Sequence, residues 1–267
     1  MMDQGSNISG FTLHQTYARV HFSASRRLDI YLHENSIPPR RLTLDPDAIS
    51  VHEHVVSLDR SRAVNVVEHL FSALYGLRIF NLRIDLYGNE IPFFDGSSYP
   101  FIMPLARVKT NAPAQPSHHI PLLERISVGS GNSFIRYEPA RTRRDPLVVD
   151  MTLSHPYIKK QRIELEVTPR SYRAEIAPAR TFVFTTEDDP RLKELPPYGI
   201  GITRRNIYSA SPLRFPDEPV RHKILDLLGD MFVLRKMISG KIIARNTSHR
   251  LNLRFVKTLL GYLDFDH

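Results

Sequence analysis

Along residues 17–24, YARVHFSA, every second side chain is apolar: Ala18, Val20, Phe22 and Ala24 alternate with Arg19, His21 and Ser23. The same period of two runs through NLRIDLYG (81–88), where Leu82, Ile84 and Leu86 alternate with Arg83, Asp85 and Tyr87. A strand points successive side chains to opposite faces, so both segments read as strands with one face on a core. Between them, AVNVVEHLFSALYGL (63–77) has a helical rhythm and predicts a long helix. Strand-like runs resume in RISVGSG (125–131), NSFIRYEP (132–139), PLVVDMTLSH (146–155) and QRIELEVTP (161–169). A loop-rich stretch follows, then a second helix over 217–236, a strand KIIAR (241–245) and a C-terminal helical pattern after NTSH (246–249). Strand and helix do not alternate regularly, so the pattern predicts an α+β fold rather than a doubly wound parallel sheet.

NAPAQPSH (111–118), rich in Pro and Ala and poor in core residues, reads as a linker. It divides the chain into residues 1–110 and 119–267. The two long helical patterns align across this division. EHLFSALYGL and RHKILDLLGD each place a charged residue before a histidine and a glycine seven residues after it (His69 and Gly76; His222 and Gly229). Such a repeat implies two related α+β units whose histidines face each other across an interface.

The second helix carries an unusual polar stripe. His222, Asp226 and Asp230 stand at i, i+4 and i+8, beside Ile224, Leu225, Leu227 and Leu228. A polar stripe among core residues must be satisfied by hydrogen bonds, a metal or water. His222 and Asp226 make a two-ligand clip, and His69 on the equivalent helix is a natural third ligand. Glu68 would then stand beside the metal as a general base. Three ligands of N and O with a fourth position left to water describe a catalytic rather than a structural zinc site. The competing reading is a pair of helix histidines capped by carboxylates in an ordinary core. Two other histidine clusters, His52 with His54 and His118 with His119, read as surface residues.

Composition narrows the chemistry. The 267 residues contain no cysteine, so disulfides, a cysteine nucleophile and thiolate zinc are excluded, and a transition metal must be held by His, Asp or Glu. The net charge of +8 points to an anionic partner. Nucleic acid fits poorly, because the only dense basic run, ARTRRD (140–145), has no aromatic residue inside it. No run is long and apolar enough for a membrane span, and MMDQGSNISG is too polar for a signal peptide, so a cytoplasmic location with at most peripheral membrane contact is expected.

Taken in order, GFTLH (10–14), VEHLFSALYGLRIFNLRIDLYGNEIPFFDGSSYPF (67–101), SHPYIKKQR (154–162), ARTFVF (179–184), LRFPDEPVRHKILDLLGD (213–230) and SHRLN (248–252) resemble the zinc-dependent UDP-3-O-acyl-N-acetylglucosamine deacetylases of lipid A synthesis. That resemblance implies two similar α+β domains, each a small, mainly antiparallel sheet with packed helices, with the active site at their interface. It implies Zn2+ held by His69, His222 and Asp226, with Glu68 as the base that activates water. It implies that His249 stabilises the oxyanion and protonates the leaving amine, that Asp230 pairs with His249, and that Thr181 donates its hydroxyl to the tetrahedral intermediate. Phe182, Phe184 and Lys223 are the implied substrate contacts, and the implied substrate is a small UDP-linked acylated amino sugar.

The chain departs from the family pattern at several places. Val183 replaces a glycine, Ser248 a glycine, Asn246 a lysine and Arg250 a small residue, and GIGITRRN carries Arg204 and Arg205 in place of a glycine-rich run. Arg204, Arg205, Arg245 and Lys223 offer cations for a diphosphate, and the prolines of KELPPYG (193–199) stiffen the segment expected to line the acyl passage. The departures leave two substrates open: the lipid A precursor, and another N-acyl amide acted on by a paralogue.

Overall fold

The computed structural model describes residues 5–34, 38–44, 47, 49–52, 55–58, 64–108, 119–121, 124–142, 144–193 and 198–263. The expected linker (111–118), His54, His118 and residues 194–197 of KELPPYG lie outside these residues, and the side chains of His52 and His119 are likewise not described.

In the first half the elements are β1 (Ser6–Phe11), β2 (Tyr17–Ala24), β3 (Asp29–His33), β4 (Arg40–Leu42), β5 (Ser50–His52), β6 (Val55–Leu58), β7 (Val64–Asn65), α1 (Glu68–Gly76), β8 (Leu82–Tyr87) and α2 (Tyr99–Arg107). In the second half they are β9 (His119–Pro121), β10 (Ile126–Ser130), β11 (Ser133–Pro139), β12 (Leu147–His155), β13 (Ile158–Glu166), α3 (Pro169–Ser171), β14 (Phe182–Phe184), β15 (Ile200–Ile202), β16 (Ile207–Tyr208), α4 (Glu218–Met231), β17 (Met237–Arg245) and α5 (His249–Leu263).

The chain is α+β, and its halves share one topology. The first sheet runs β1-β2-β8-β3-β4, and the second runs β10-β11-β17-β12-β13. Each has a hairpin at either edge and a last strand threaded between them, parallel to one neighbour: β8 beside β3, and β17 beside β12. Each half also inserts a small three-stranded sheet, β5-β6-β7 or β14-β15-β16, ahead of the helix that leads to the threaded strand. The alternation in β2 and β8 points Val20, Phe22, Ile84 and Leu86 into the core. Among the described residues no helix is long and apolar enough to cross a membrane.

The first helix is shorter than its sequence pattern suggests. Helix was expected from residue 63, but Val64–Asn65 pair with β6 as β7, and the helix begins at Glu68. Val66 turns the chain at φ 59°, a conformation that costs a β-branched residue energy and breaks any continuous helix. The second helix likewise stops at Met231, passes through a 3-10 turn at Phe232–Leu234, and is closed by Arg235 in the left-handed region at φ 51°.

Both central helices are enclosed. Every residue of α1 is buried, and in α4 only Arg221 and Lys223 reach solvent. The helices pack on each other, and the equivalent glycines of the repeat permit close approaches. A Cβ built on Gly229 would lie 2.2 Å from the backbone oxygen of Glu68, and one on Gly76 would lie 2.2 Å from the ring of Tyr172. Glu68 and His69 are thereby held against the polar stripe of α4.

Candidate active site

Because α1 and α4 are buried, their polar side chains must find partners inside the protein. His222 donates from Nδ1 to the carbonyl oxygen of Ala179 at 3.1 Å. Its other ring nitrogen, Nε2, faces Asp226 Oδ1 at 3.1 Å. One ligand atom from each of His69, His222 and Asp226 lies within 4.8 Å of the others, and all three residues are buried. Burial, and next the nearby His222, depress the pKa of His69 to about 3, so its imidazole stays neutral with a lone pair to give. Lys223 Nζ holds the other oxygen of Asp226 at 2.9 Å, leaving Oδ1 turned to the histidines. Burial works against charge on Asp226, but Lys223, His222 and His249 outweigh it and hold its pKa well below the usual carboxylate range. Two imidazoles and one carboxylate whose N and O atoms converge in this way fit a divalent first-row cation.

Glu68 and His249 flank this cluster with opposite shifts. Burial raises the Glu68 carboxyl to about 8, and its Oε2 has no hydrogen-bond partner. Burial opposes charge on His249, yet Asp230 and then Asp226 raise it to about 9. His249 Nδ1 donates to Asp230 Oδ2 at 2.8 Å, and its Nε2 lies 3.9 Å from Asp226 Oδ1. Asp230 itself is raised, chiefly by burial, against its hydrogen bonds to His249 and Asn252. A buried carboxyl that favours its neutral form beside an imidazole that favours its charged form is a pairing suited to proton exchange at near-neutral pH.

The third wall is residues 177–184. A π-helical turn, Tyr172–Ile176, reseats the chain, and the Tyr172 hydroxyl bonds to Ser72 of α1 at 3.0 Å. Arg180 then locks the segment to the first turn of α4. Its backbone N–H and Nε both reach Glu218 Oε1, at 2.9 and 2.8 Å, and its Nη2 reaches Oε2 at 3.1 Å. Burial alone would push Glu218 up, but Arg180 and the backbone N–H groups of Arg180 and Arg214 lower it. Thr181 sits between Gly96 and Gly199, donating its N–H to the Gly96 carbonyl at 2.8 Å. The Phe182 ring lies 6.2 Å from His222, with Lys223 Nζ 5.7 Å from that ring's centroid. Phe184 is one step further out, 5.2 Å from Phe182 and stacked on His155 at 3.6 Å.

Sequence reading missed three supports. Asn252 donates to the same Asp230 oxygen at 2.8 Å, doubly fixing the carboxylate behind His249. It lies one helical turn after His249 in the same SHRLN tract, and that i, i+3 spacing was the available signal. The Arg180–Glu218 clamp was missed because its partners are 38 residues apart. The third is Phe93, whose ring packs 5.4 Å from His69.

Breaking the clamp from one side leaves an unpaired buried charge. Arg180→Ala should therefore cost about 3–5 kcal/mol. That lowers the melting temperature by on the order of 10 °C, read by thermal denaturation. Because the folded Glu218 pKa is depressed, the pair's contribution is complete at neutral pH and disappears as pH falls below about 4.

Comparison with known proteins agrees with this geometry. Residues 2–261 match the family model LpxC, UDP-3-O-acyl N-acetylglycosamine deacetylase. The chain belongs to that deacetylase family. A UDP-3-O-acyl-N-acetylglucosamine deacetylase of Myxococcus xanthus is 34% identical over 205 residues, covering 74% of this chain and 64% of the relative. One from a Geobacter species is 30% identical over 240 residues, covering 82% and 76%. The Wolinella succinogenes protein of the same name is 35% identical over 203 residues, covering 74% and 67%.

Within this deacetylase family, two departures of the chain have local physical reasons. Ser248 caps α5, its Oγ accepting the Leu251 N–H at 3.3 Å, which a glycine cannot do. Asn246 turns the chain at φ 45°, where Asn is tolerated better than Lys, and its Oδ1 accepts the Ser154 N–H at 2.8 Å. Val183 sits directly across from Gly201 in the β14–β15 pair. Arg204 and Arg205 are exposed, with the Arg205 N–H donating to Glu187 at 3.1 Å.

Proposed function

We propose that the protein is a zinc-dependent amidohydrolase that removes the N-acetyl group of UDP-3-O-acyl-N-acetylglucosamine in lipid A synthesis, in the cytoplasm. The observation that carries this reading is the convergence of His69, His222 and Asp226 beside an oppositely shifted Glu68–His249 pair. The names of the relatives supply the substrate. In this reading residues 1–110 and 119–267 form two units joined by 111–118.

His69, His222 and Asp226 would hold the zinc. When bound, it polarises the amide carbonyl and brings the pKa of a coordinated water down to about 7. Glu68, buried and with a free Oε2, takes the proton of the attacking water. An amine leaves well only when protonated, and His249 supplies that proton from Nε2. Asp230, steadied by Asn252, keeps the His249 Nδ1–H in place and stabilises the imidazolium. His249 and the Thr181 hydroxyl are the donors toward the developing oxyanion. Phe182 flanks the reacting carbon with its apolar face, Phe184 extends that wall, and Lys223 divides its charge between Asp226 and the polar head of the substrate.

Elemental analysis of the purified protein should give about one zinc per chain. His69→Ala, His222→Ala and Asp226→Ala should each lower that occupancy; full retention in all three would sink the ligand assignment. The substrate is tested with the zinc-loaded protein on UDP-N-acetylglucosamines of varied 3-O-acyl length and on non-nucleotide N-acyl hexosamines. Turnover of the nucleotide series is expected, with a preferred acyl length set in part by Val183. Turnover of the non-nucleotide amides alone would instead identify a paralogue with the same chemistry.

A further inference from the structure

The outer face of α5 is not used by the chemistry above. Arg250, Arg254 and Lys257 are exposed on it, at i, i+4 and i+7, and Gly261 continues the stripe with open space around it. Helix α5 carries no Asp or Glu to offset them. Like charges at this spacing repel, and Arg250 stands in the first turn, where the helix dipole already disfavours a cation. Both effects lower stability unless an anion is nearby. The three cations flank a groove of about 530 Å³ floored by Leu253 and by Ile49 and Val51 of the neighbouring half. The side chains of Arg250 and Arg254 have no partner among the described residues. Lys257 pairs with Asp47 at 2.9 Å, an exposed contact that is readily exchanged.

We propose that this groove docks the protein on an anionic phospholipid surface, with a lipid phosphate between Arg250 and Arg254 and the adjoining methylenes on Ile49, Val51 and Leu253. A small inorganic anion would leave the aliphatic floor uncovered. A second copy of the chain, with its own net charge of +8, would be repelled. Single-stranded nucleic acid would find no aromatic ring among the described residues of the groove to stack on. His249 begins the same helix, so docking here holds the catalytic helix beside the bilayer. The benefit to an acylated substrate rests on the proposed reaction, whereas the docking itself does not.

The test is co-sedimentation of the full chain with phosphatidylcholine vesicles and with mixed phosphatidylcholine–phosphatidylglycerol vesicles, at low and high salt. Binding to the mixed vesicles alone, weakened by salt, is expected. Arg254→Glu with Lys257→Glu should reduce it by about tenfold or more, since each cation near an anionic surface contributes roughly fivefold. The same double variant should turn over a short-acyl, water-soluble substrate like the parent protein, which separates loss of docking from failure of the reaction. Lys159→Glu with Lys160→Glu, exposed charges on β13, should bind nearly as well as the parent. Equal loss in that control would mean that net charge alone drives binding, and would overturn the site. Binding to phosphatidylcholine alone, absence of vesicle binding, or a response only to glycerol phosphate in solution would overturn it too.

Discussion

Glu68→Gln should abolish most activity while leaving the metal in place. The substitution keeps the shape of a fully enclosed side chain, so α1 and the neighbouring His69 remain seated. It removes the function proposed for this carboxylate, accepting a proton. Positioned acid–base groups typically contribute about 100- to 10,000-fold, so kcat should fall by at least two orders of magnitude. The pH profile gives a second readout. As the proposed base, Glu68 must be deprotonated, so its limb is a rise in rate with pH; burial sets it near 8 among the protein's own groups, and a divalent cation beside it moves it lower. As the proposed acid, His249 must be protonated, so rate should fall as pH rises through its pKa of about 9. Glu68→Gln should lose the acid limb, and His249→Ala the alkaline one. Release of zinc by Glu68→Gln would mean that Glu68 is a ligand and that the base lies elsewhere.

How much of this was legible beforehand depended on distance along the chain. The edges of the α4 stripe could be read because His222, Asp226 and Asp230 lie on one helix, and helical geometry alone places them together. The strands β2 and β8 followed from strict alternation, which survives any packing partner. The threading of β17 between two hairpins did not follow, since pairing Val149 with Ile242 joins residues far apart in sequence and no local signal encodes it. The start of α1 was misjudged for a related reason. Val64, Val66 and Val67 fit a helical rhythm by hydrophobicity, but they are β-branched, and the adjacent strand β6 claims Val64. The clamp of Arg180 on Glu218 was invisible because a buried arginine announces itself only through its burial, at 3% exposure.

The repeat glycine on α4 yields the second large effect, and here two opposing magnitudes can be compared. In an ordinary helix interior, replacing glycine by alanine stabilises by about 1 kcal/mol. Gly261 of α5 is such a position: its Cβ would meet nothing within 4 Å, so Gly261→Ala should raise the melting temperature slightly. Gly229 is not. Its Cβ would lie 2.2 Å from the Glu68 oxygen and 3.0 Å from the Glu68 carbonyl carbon, both backbone atoms that cannot swing aside. Relief requires α1 to move off α4 by about 1 Å, and overpacking of this kind costs roughly 1–3 kcal/mol. The clash therefore cancels or exceeds the helical gain. The functional penalty should be larger than the stability penalty, because the atoms displaced are those of the proposed base and, one residue on, a proposed ligand. Misplacement by about 1 Å is enough to lose on the order of 100-fold in rate. Gly229→Ala should thus fold, melt at or below the parent temperature, bind zinc more weakly and turn over at least 100-fold more slowly, with Gly229→Val worse on every count. Parent-like zinc content and kcat in Gly229→Ala would show that α1 can shift without disturbing the site, and the close contact at Gly229 would then be packing alone.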